Sequence, residues 1–422
     1  MTRFFFLILA FWAGCTTQTD SRTEIRIWAM GKEGEVLGEL VPEFERTHPN
    51  IKVRVQALPW TAAHEKLLTG FAGESLPDLC QLGNTWMPEF TALGALEDLS
   101  PWVSRSKVIQ ENDYFSGIWA SNVFENRTYG IPWYVDTRLL FYRKDLLQKA
   151  GFSQPPTTWQ EWQTVLMKIK QLVGPDKFAV LLPLNEFEPP IILALQQPSE
   201  MLREQGTRGN FQSADFKKAY GFYLDLFRKK LSPSVGNQEI SNVWQEFERG
   251  YFSFYITGPW NVSEFKTRLP KSLQSAWGTA PMPAPEAGKP AYSMAGGSSL
   301  VIFQSSKHKQ EAWAFLEYLS RPEVQIRFNE LTGDLPPRFS VWKDPKLAMD
   351  PYMKAFQQQL QFTRPTPKVP EWERIATELR LTTEVVLSGK KSMNAALRDL
   401  DATTDRILEK RRWMRSQNKI TP

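Results

Sequence analysis

Residues 24–55 read EIRIWAMGKEGEVLGELVPEFERTHPNIKVRV. Residues 24–28 alternate apolar and polar side chains, and residues 51–55 do so again, which is the period-two pattern of β-strands. Between them, residues 31–34 predict a turn bounded by two glycines, and residues 35–46 have the apolar spacing of a helix. A strand, a helix and a second strand in succession predict a parallel crossover unit.

The pattern continues outward from this unit. An amphipathic helix at residues 63–72 and a strand at residues 78–82 extend it to βαβαβ. A long extended stretch covers residues 129–142, a helix is expected at residues 144–150, and a capping box at residues 158–161 starts another helix. Helices dominate the rest, with further strands expected at residues 250–256 and 299–303 and a surface connection in the proline-rich residues 281–290. The chain is therefore predicted to be an α/β protein.

Length and composition restrict the class of protein. A chain of 422 residues is longer than a single hydrophobic core usually supports, so two cores are expected. Its 42% apolar and 23% charged residues are typical of a globular protein. The 51 basic and 46 acidic residues are spread along the chain, which argues against a nucleic-acid partner. Two cysteines and three scattered histidines predict neither a disulfide framework nor a metal site, and no cofactor is expected.

The N-terminus has the features of an export signal. Arg3 precedes nine apolar residues at positions 4–12, which is too short for a membrane anchor and the right length for a signal peptide. Cys15 follows Ala-Gly and resembles the lipidated cysteine of a bacterial lipoprotein, so residues 1–14 are predicted to be its signal peptide. An ordinary signal peptide that happens to contain a cysteine is the alternative. Cys80 would then be a lone thiol, for which core packing is expected.

Four segments, in their order, carry a family resemblance. They are residues 27–53, residues 76–79 with 94–99, residues 129–147, and the turn Thr257-Gly258-Pro259-Trp260. Their sequence resembles the extracellular solute-binding proteins of ABC importers, in particular the sugar-binding family that includes maltodextrin-binding protein.

This resemblance implies a periplasmic-binding-protein type II fold with two discontinuous α/β lobes joined by a hinge. Lobe one would comprise residues 23–135 plus 291–340, and lobe two residues 136–290 plus 341–422. The lobes would close on a carbohydrate as a hinged clamp and deliver it to ABC transporter permease subunits. The implied protein is a monomer, exported and lipid-anchored at the cell surface or at the periplasmic face of a membrane.

Sugar binding needs planar aromatic rings for the C–H-rich faces and charged or amide groups for the hydroxyls. The family places stacking aromatics at Trp260 and Trp372, and a core tryptophan is the alternative at each position. Asp136 matches a ligand-contacting carboxylate beside the hinge crossing, with Trp133 next to it. Alternatively, Asp136 pairs only with Arg138.

The remaining candidates come from loops at the predicted rim of the cleft. Lys32 and Glu33 follow the first strand, where open α/β sheets bind ligands, although a solvated loop would look the same. Asn84 and Trp86 follow the third strand at a position where maltodextrin binders carry charged residues, which argues against maltose itself. Four further positions are weaker: Glu186 as an acidic contact, Gly297 as a backbone approach or a tight turn, Arg338 as a cleft or surface cation, and Trp60 as a reserve aromatic.

Enzymes are the main competing class. His64-Glu65 begins a zinc-protease pattern, but residue 68 is leucine, and no phosphate-binding glycine loop or Gly-x-Ser-x-Gly elbow occurs. A secreted carbohydrate-cleaving enzyme using Asp136 and Glu186 as its carboxylate pair stays open. So does a binder of polyols or glycerophosphoryl compounds, which Lys32 and Arg338 would favour. The expected protein is a binder rather than an enzyme.

Overall fold

The computed structural model describes residues 20–240 and 242–417. The predicted signal peptide at residues 1–14 and the predicted lipidation site Cys15 lie outside these residues. Cys80 is fully buried, and this burial raises the pKa of its thiol, so the prediction of core packing is confirmed.

The first sheet has five strands and contains the predicted crossover unit. Its order is Ile51–Leu58, Thr23–Met30, Leu79–Gly83, Gly296–Ile302 and Ile131–Asp136. The first three strands are parallel, whereas the strand Gly296–Ile302 runs antiparallel to both of its neighbours. The carboxyl ends of the three parallel strands therefore meet at one edge, where open α/β sheets bind ligands.

The segment after the first strand differs from its prediction. Residues 31–34 form part of a helix, Gly31–Val36, rather than a turn. A 3-10 turn at Leu37–Glu39 follows, and a separate helix covers Val41–Thr47. The break has a physical cause, because Pro42 lacks an amide hydrogen and is tolerated only in the first turn of a helix.

The second sheet has four strands in the order Trp277–Ala280, Leu139–Arg143, Phe254–Thr257 and Val180–Leu181. The strand Leu139–Arg143 runs antiparallel to both of its neighbours. The longest helices of this half are Trp159–Val173, Ala214–Arg228, Trp372–Leu387 and Met393–Ile407.

The capping box predicted at residues 158–161 is formed in part. Thr158 caps the helix Trp159–Val173 and accepts from the Glu161 amide at 3.2 Å. The Glu161 carboxylate accepts from the amide of Thr157 instead of Thr158. The Glu161 carboxylate therefore binds a backbone amide one residue earlier than in a regular capping box.

The chain passes between the two sheets several times. It leaves the first sheet at Asp136 and enters the second at Leu139, and it returns between Ala280 and Gly296. Near these crossings the short strand Ser293–Met294 pairs with Thr363–Arg364. Each half is thus assembled from separate parts of the chain, while the residues at which each lobe begins and ends remain a prediction.

Smaller elements complete the fold. The remaining helices are Trp60–Ala72, Met87–Ala92, Ser100–Val103, Ser116–Ala120, Lys144–Lys149, Glu188–Leu195, Val243–Glu248, Trp260–Arg268, Lys309–Leu319, Pro322–Thr332, Pro345–Ala348, Met353–Leu360 and Glu409–Ser416. Two short hairpins pair Val123–Phe124 with Arg127–Thr128 and Leu202–Arg203 with Arg208–Gly209. Within the described part of the chain, no helix is long and apolar enough to cross a bilayer.

Candidate functional site

An exposed aromatic corner lies at the carboxyl edge of the first sheet. Trp60 opens the helix after the strand Ile51–Leu58 and is 37% exposed. Its ring meets that of Trp86, which follows the third strand, edge to face at 5.5 Å and 64°. His64 lies 5.0 Å from Trp86 and pairs with Glu89, which raises the pKa of the imidazole. We call Trp60, Trp86 and His64 the aromatic corner.

Gly31 allows this corner to approach an acidic side chain. Its φ of +58° lies in the left-handed region, and a β-carbon there would sit 2.8 Å from Trp60 Nε1 and 3.0 Å from Glu33 Oε2. The side chains of Trp60 and Glu33 would have to shift to make room for it, so both the backbone conformation and the available space favour glycine here. The Trp60 indole and the Glu33 carboxylate therefore lie side by side over the Gly31 backbone.

Glu33 belongs to a group of buried carboxyl groups. It is 7% exposed, and the side chains of Asp334 and Tyr134 lie beside its carboxyl group. Burial raises the pKa of Glu33, and burial together with the neighbouring Glu33 carboxylate raises the pKa of Asp334 well above its usual range. Burial also raises the pKa of Asp136, to about 6, which the positive charge of Arg138 partly opposes.

The Tyr134 hydroxyl beside Glu33 is held by the sheet. It accepts from Gln81 Nε2 at 3.1 Å and from the Ser298 hydroxyl at 3.0 Å. The Gln81 amide oxygen in turn accepts from the Met30 backbone N–H at 2.7 Å. Three neighbouring strands thus fix the position of this hydroxyl.

Arg138 continues the polar network into the second half. Its two Nη groups donate to Glu186 at 3.1 Å and to Glu188 at 2.6 Å. Its guanidinium lies 5.3 Å from the centre of the Trp260 ring. Asp136 differs from Glu186 and Glu188, because its Oδ1 atom is buried and has no hydrogen-bond partner in the structure. The alternative that Asp136 serves only as the ion-pair partner of Arg138 is therefore not what the geometry shows.

Trp260 presents its indole beside the Arg138 guanidinium. It begins the helix Trp260–Arg268 and is 39% exposed. A β-carbon at Gly258 would fall 1.8 Å from a carbon of the indole, so only glycine lets the ring fold back over the turn. The exposure predicted for Trp260 is present. We call Glu33, Asp334, Asp136, Arg138, Glu186 and Glu188, flanked by the aromatic corner and Trp260, the candidate site.

Sequence reasoning named five residues that the structure brings together: Glu33, Trp86, Asp136, Glu186 and Trp260. It did not select Tyr134, Glu188 or Asp334, and it held Trp60 in reserve. No local pattern connects Asp334 with Glu33, because about 300 residues separate them and only the tertiary fold makes them neighbours. The signal that could have found Trp60 is its position directly after a parallel strand.

Two tryptophans predicted to contact the ligand, Trp133 and Trp372, lie in cores. Trp133 is 1% exposed and stacks on Phe328 at 4.4 Å. Trp372 is also 1% exposed and packs in the core of the second sheet. In the structure both rings make packing contacts, the alternative already considered for Trp372. Ligand contact at these two positions stays a prediction.

Arg338 and Asn84 are committed to internal partners. Arg338 is buried, pairs with Asp113 at 2.8 Å and donates to the Ser320 carbonyl. Asn84 donates to the Gly296 carbonyl at 3.2 Å and accepts from the Ser299 hydroxyl at 2.9 Å. The polar atoms of both side chains thus join neighbouring segments of the chain, and ligand contact at these positions stays a prediction.

Lys32 and Gly297 also fit their non-ligand alternatives. Lys32 is exposed and approaches Glu35 at 3.9 Å, as expected for a solvated position. Gly297 has φ +111°, and a β-carbon there would lie 2.4 Å from the Tyr134 carbonyl oxygen. Close strand pairing with residues 134–136 accounts for this glycine. Across the described residues, no group of three His, Cys, Asp or Glu side chains could hold a metal ion.

Comparisons with known proteins agree on one family. The family model described as bacterial extracellular solute-binding protein matches residues 30–326. A putative binding protein of Brucella abortus (strain 2308) is 28% identical over 389 residues, covering 90% of this chain and 91% of the relative. The diacetylchitobiose binding protein DasA of Streptomyces coelicolor is 23% identical over 380 residues, covering 88% and 87%.

A solved structure gives the same result. The sugar-binding protein MalE from the phytopathogen Xanthomonas citri is 54% identical, with a TM-score of 0.91 over 94% of this chain and 100% of that one. This match confirms the predicted two-lobed α/β fold. With the family model covering most of the chain, we conclude that the protein belongs to the bacterial extracellular solute-binding protein family.

Proposed function

We propose that this protein captures a carbohydrate, an oligosaccharide or a glycoside, by hinged closure of its lobes and delivers it to an ABC transporter permease. The observation that carries this proposal is the juxtaposition of exposed indoles, Trp60 and Trp260, with a buried network of carboxylates and one guanidinium. The family and the similarity to a sugar-binding protein named MalE support it.

The chemistry of the candidate site suits a sugar. The apolar face of a pyranose ring stacks on an indole, which supplies contact area at low entropic cost. Carboxylates accept strongly from hydroxyl groups, and charge-assisted hydrogen bonds are roughly twice as strong as neutral ones. Trp60 follows a strand of the first sheet and Trp260 follows a strand of the second. Closure would therefore bring an aromatic surface to each side of the ligand.

The same site contains the pair that a carbohydrate-cleaving enzyme would use. Asp136, whose pKa is raised to about 6, could act as an acid, and Glu186, which pairs with Arg138, would be the second carboxylate. We propose binding without cleavage. Incubating the purified protein with the bound sugar should return the sugar unchanged, and turnover abolished by Asp136→Asn would establish an enzyme instead.

Attachment to the membrane forms part of the proposal. Lipidation of Cys15 would tether a monomeric binding protein beside its permease on the outer face of the cell membrane or in the periplasm. Labelling cells with a radioactive fatty acid should mark the wild-type protein and leave Cys15→Ser unlabelled. Equal labelling of both would remove Cys15 from the proposal.

A thermal-shift screen of residues 16–422 tests the function. The panel contains neutral mono- and oligosaccharides, polyols, glycerophosphoryl compounds and peptides at millimolar concentration. A ligand at 100 times its Kd stabilises the folded state by about 2.7 kcal/mol, which raises the melting temperature measurably. Stabilisation by a neutral saccharide supports sugar capture, whereas stabilisation only by peptides or by glycerophosphoryl compounds would contradict it.

A further inference from the structure

We propose that the candidate site selects its saccharide by charge, accepting neutral or positively charged sugars and rejecting uronates and sugar phosphates. This inference rests on the proposed function and specifies the class of sugar. It also excludes the glycerophosphoryl compounds that the sequence alone left open.

Negative groups outnumber positive ones in the candidate site. Glu186 and Glu188 pair with Arg138, and Asp136 lies within electrostatic range of Arg138, Glu186, Glu188 and Glu33, which in turn neighbours Asp334. Glu186, Glu188 and Arg138 have side chains that are 11 to 16% exposed, so solvent screens their charges weakly. An added anion would meet several negative charges in a poorly solvated space.

The cation of the candidate site, Arg138, is already paired. Both Nη groups of Arg138 donate to carboxylates, at 3.1 Å to Glu186 and at 2.6 Å to Glu188. A carboxylate or phosphate on the ligand would have to displace one of them to form the bidentate pair that arginine offers to anions. Lys32 gives no substitute, because it is exposed and approaches Glu35.

Two polar atoms of the candidate site are without hydrogen-bond partners. Asp136 Oδ1 and Arg138 Nε are buried and make no hydrogen bond in the structure. Such atoms are costly unless a ligand satisfies them. A hydroxyl group can donate to Asp136 and accept from Arg138, and an ammonium group can donate to Asp136. A carboxylate or phosphate group placed against Asp136 has no hydrogen to donate to it, so an anionic substituent is disfavoured at this position relative to a hydroxyl or ammonium group.

Matched sugars provide the test. Maltose and trehalose are compared with their 6-amino-6-deoxy and 2-amino-2-deoxy derivatives and with their 6-carboxylate and 6-phosphate derivatives, by calorimetry at pH 7.5 in 50 mM and 500 mM NaCl. We expect anionic derivatives to bind roughly 100-fold more weakly than the parent sugar, since like charges brought together in an interface are strongly unfavourable. At least one amino derivative should bind several-fold more tightly, and salt should reduce both differences.

Single substitutions locate the effect. Three substitutions each remove one ionisable group and keep the side-chain shape: Glu33→Gln, Asp136→Asn and Asp334→Asn. Each should reduce the ratio of the affinity for the parent sugar to the affinity for its anionic derivative. Glu35→Gln is the matched control, because Glu35 lies two residues from Glu33 in the same helix with its side chain 67% exposed. In Glu35→Gln the ratio of the affinities for neutral and anionic derivatives should equal that of the wild type.

The outcomes separate this inference from the proposed function. Equal affinity for neutral and anionic derivatives would overturn charge selection and leave sugar capture intact. If neither parent sugar binds, the same derivatives of the saccharide found by thermal shift are compared, and equal affinity for its neutral and anionic forms overturns charge selection. Binding of no saccharide at all would overturn the proposed function on which this inference rests.

Discussion

Replacing Gly31 by alanine should weaken sugar binding while leaving the protein folded. The new β-carbon would sit 2.8 Å from Trp60 Nε1 and 3.0 Å from Glu33 Oε2, so the indole and the carboxylate must both move. The left-handed backbone at φ +58° adds a cost of roughly 1–2 kcal/mol for a residue with a β-carbon. Stability should therefore fall by about that amount.

The effect on binding should be larger than the effect on folding. Misplacing one stacking ring costs about 1–3 kcal/mol, which corresponds to roughly a 5- to 150-fold weaker affinity. Isothermal titration with the sugar found by thermal shift measures the affinity, and urea unfolding measures the stability. The two readouts distinguish a damaged site from a damaged fold.

Gly38 offers the matched control in the same segment. It lies in the 3-10 turn Leu37–Glu39, and a β-carbon there would have no neighbour within 4 Å. Gly38→Ala should bind sugar as the wild type does. If Gly31→Ala also binds with unchanged affinity, the Trp60 ring and Glu33 are not part of the site and our reasoning about the aromatic corner is refuted.

Three further predictions concern single side chains. Trp260→Ala should weaken sugar binding, measured by calorimetry, by about 1–3 kcal/mol. The control Trp413→Ala changes another exposed tryptophan and should bind with the affinity of the wild type. An equal loss of affinity in both variants would show that Trp260 has no specific role. Arg338→Met should lower the free energy of unfolding, measured in urea, by about 3 kcal/mol, because it leaves Asp113 without its buried partner. The control Arg327→Met removes an exposed ion pair and should cost less than about 1 kcal/mol. Comparable losses in the two variants would contradict the structural role of Arg338. The pKa of Asp136 is raised to about 6, so the free energy of unfolding should fall by roughly 2–3 kcal/mol as the pH rises from about 4 through 6 and this carboxyl ionises in its buried position. Asp136→Asn should remove this decline when unfolding is measured as a function of pH. The same decline in the variant would show that Asp136 is not buried as described.

Local patterns in the sequence predicted much of the fold. Period-two alternation located the strands Thr23–Met30 and Ile51–Leu58, and the turn before Trp260 predicted an exposed indole there. The helix Gly31–Val36 was missed because two glycines indicated a turn, although the following residues continue the helix. Glycine weakens helices but does not forbid them.

The composition of the site was less predictable. Trp133 and Trp372 have the residue type and the neighbours expected of ligand contacts, but burial is a property of the folded chain and places both in cores. Asp334 shows the opposite case, because nothing near it in the sequence marks it as a partner of Glu33. Pairs joined only by tertiary structure are invisible to spacing arguments.

Solution scattering tests most directly the central claim that a sugar is captured by closure of the lobes. Small-angle X-ray scattering would be recorded on residues 16–422 with and without the saccharide that stabilises the protein, alongside Trp260→Ala. We predict that saturating sugar reduces the radius of gyration of the wild type, and that the variant needs a higher sugar concentration for the same change. A saccharide that binds and leaves the scattering unchanged, or a protein that binds none, would contradict the account.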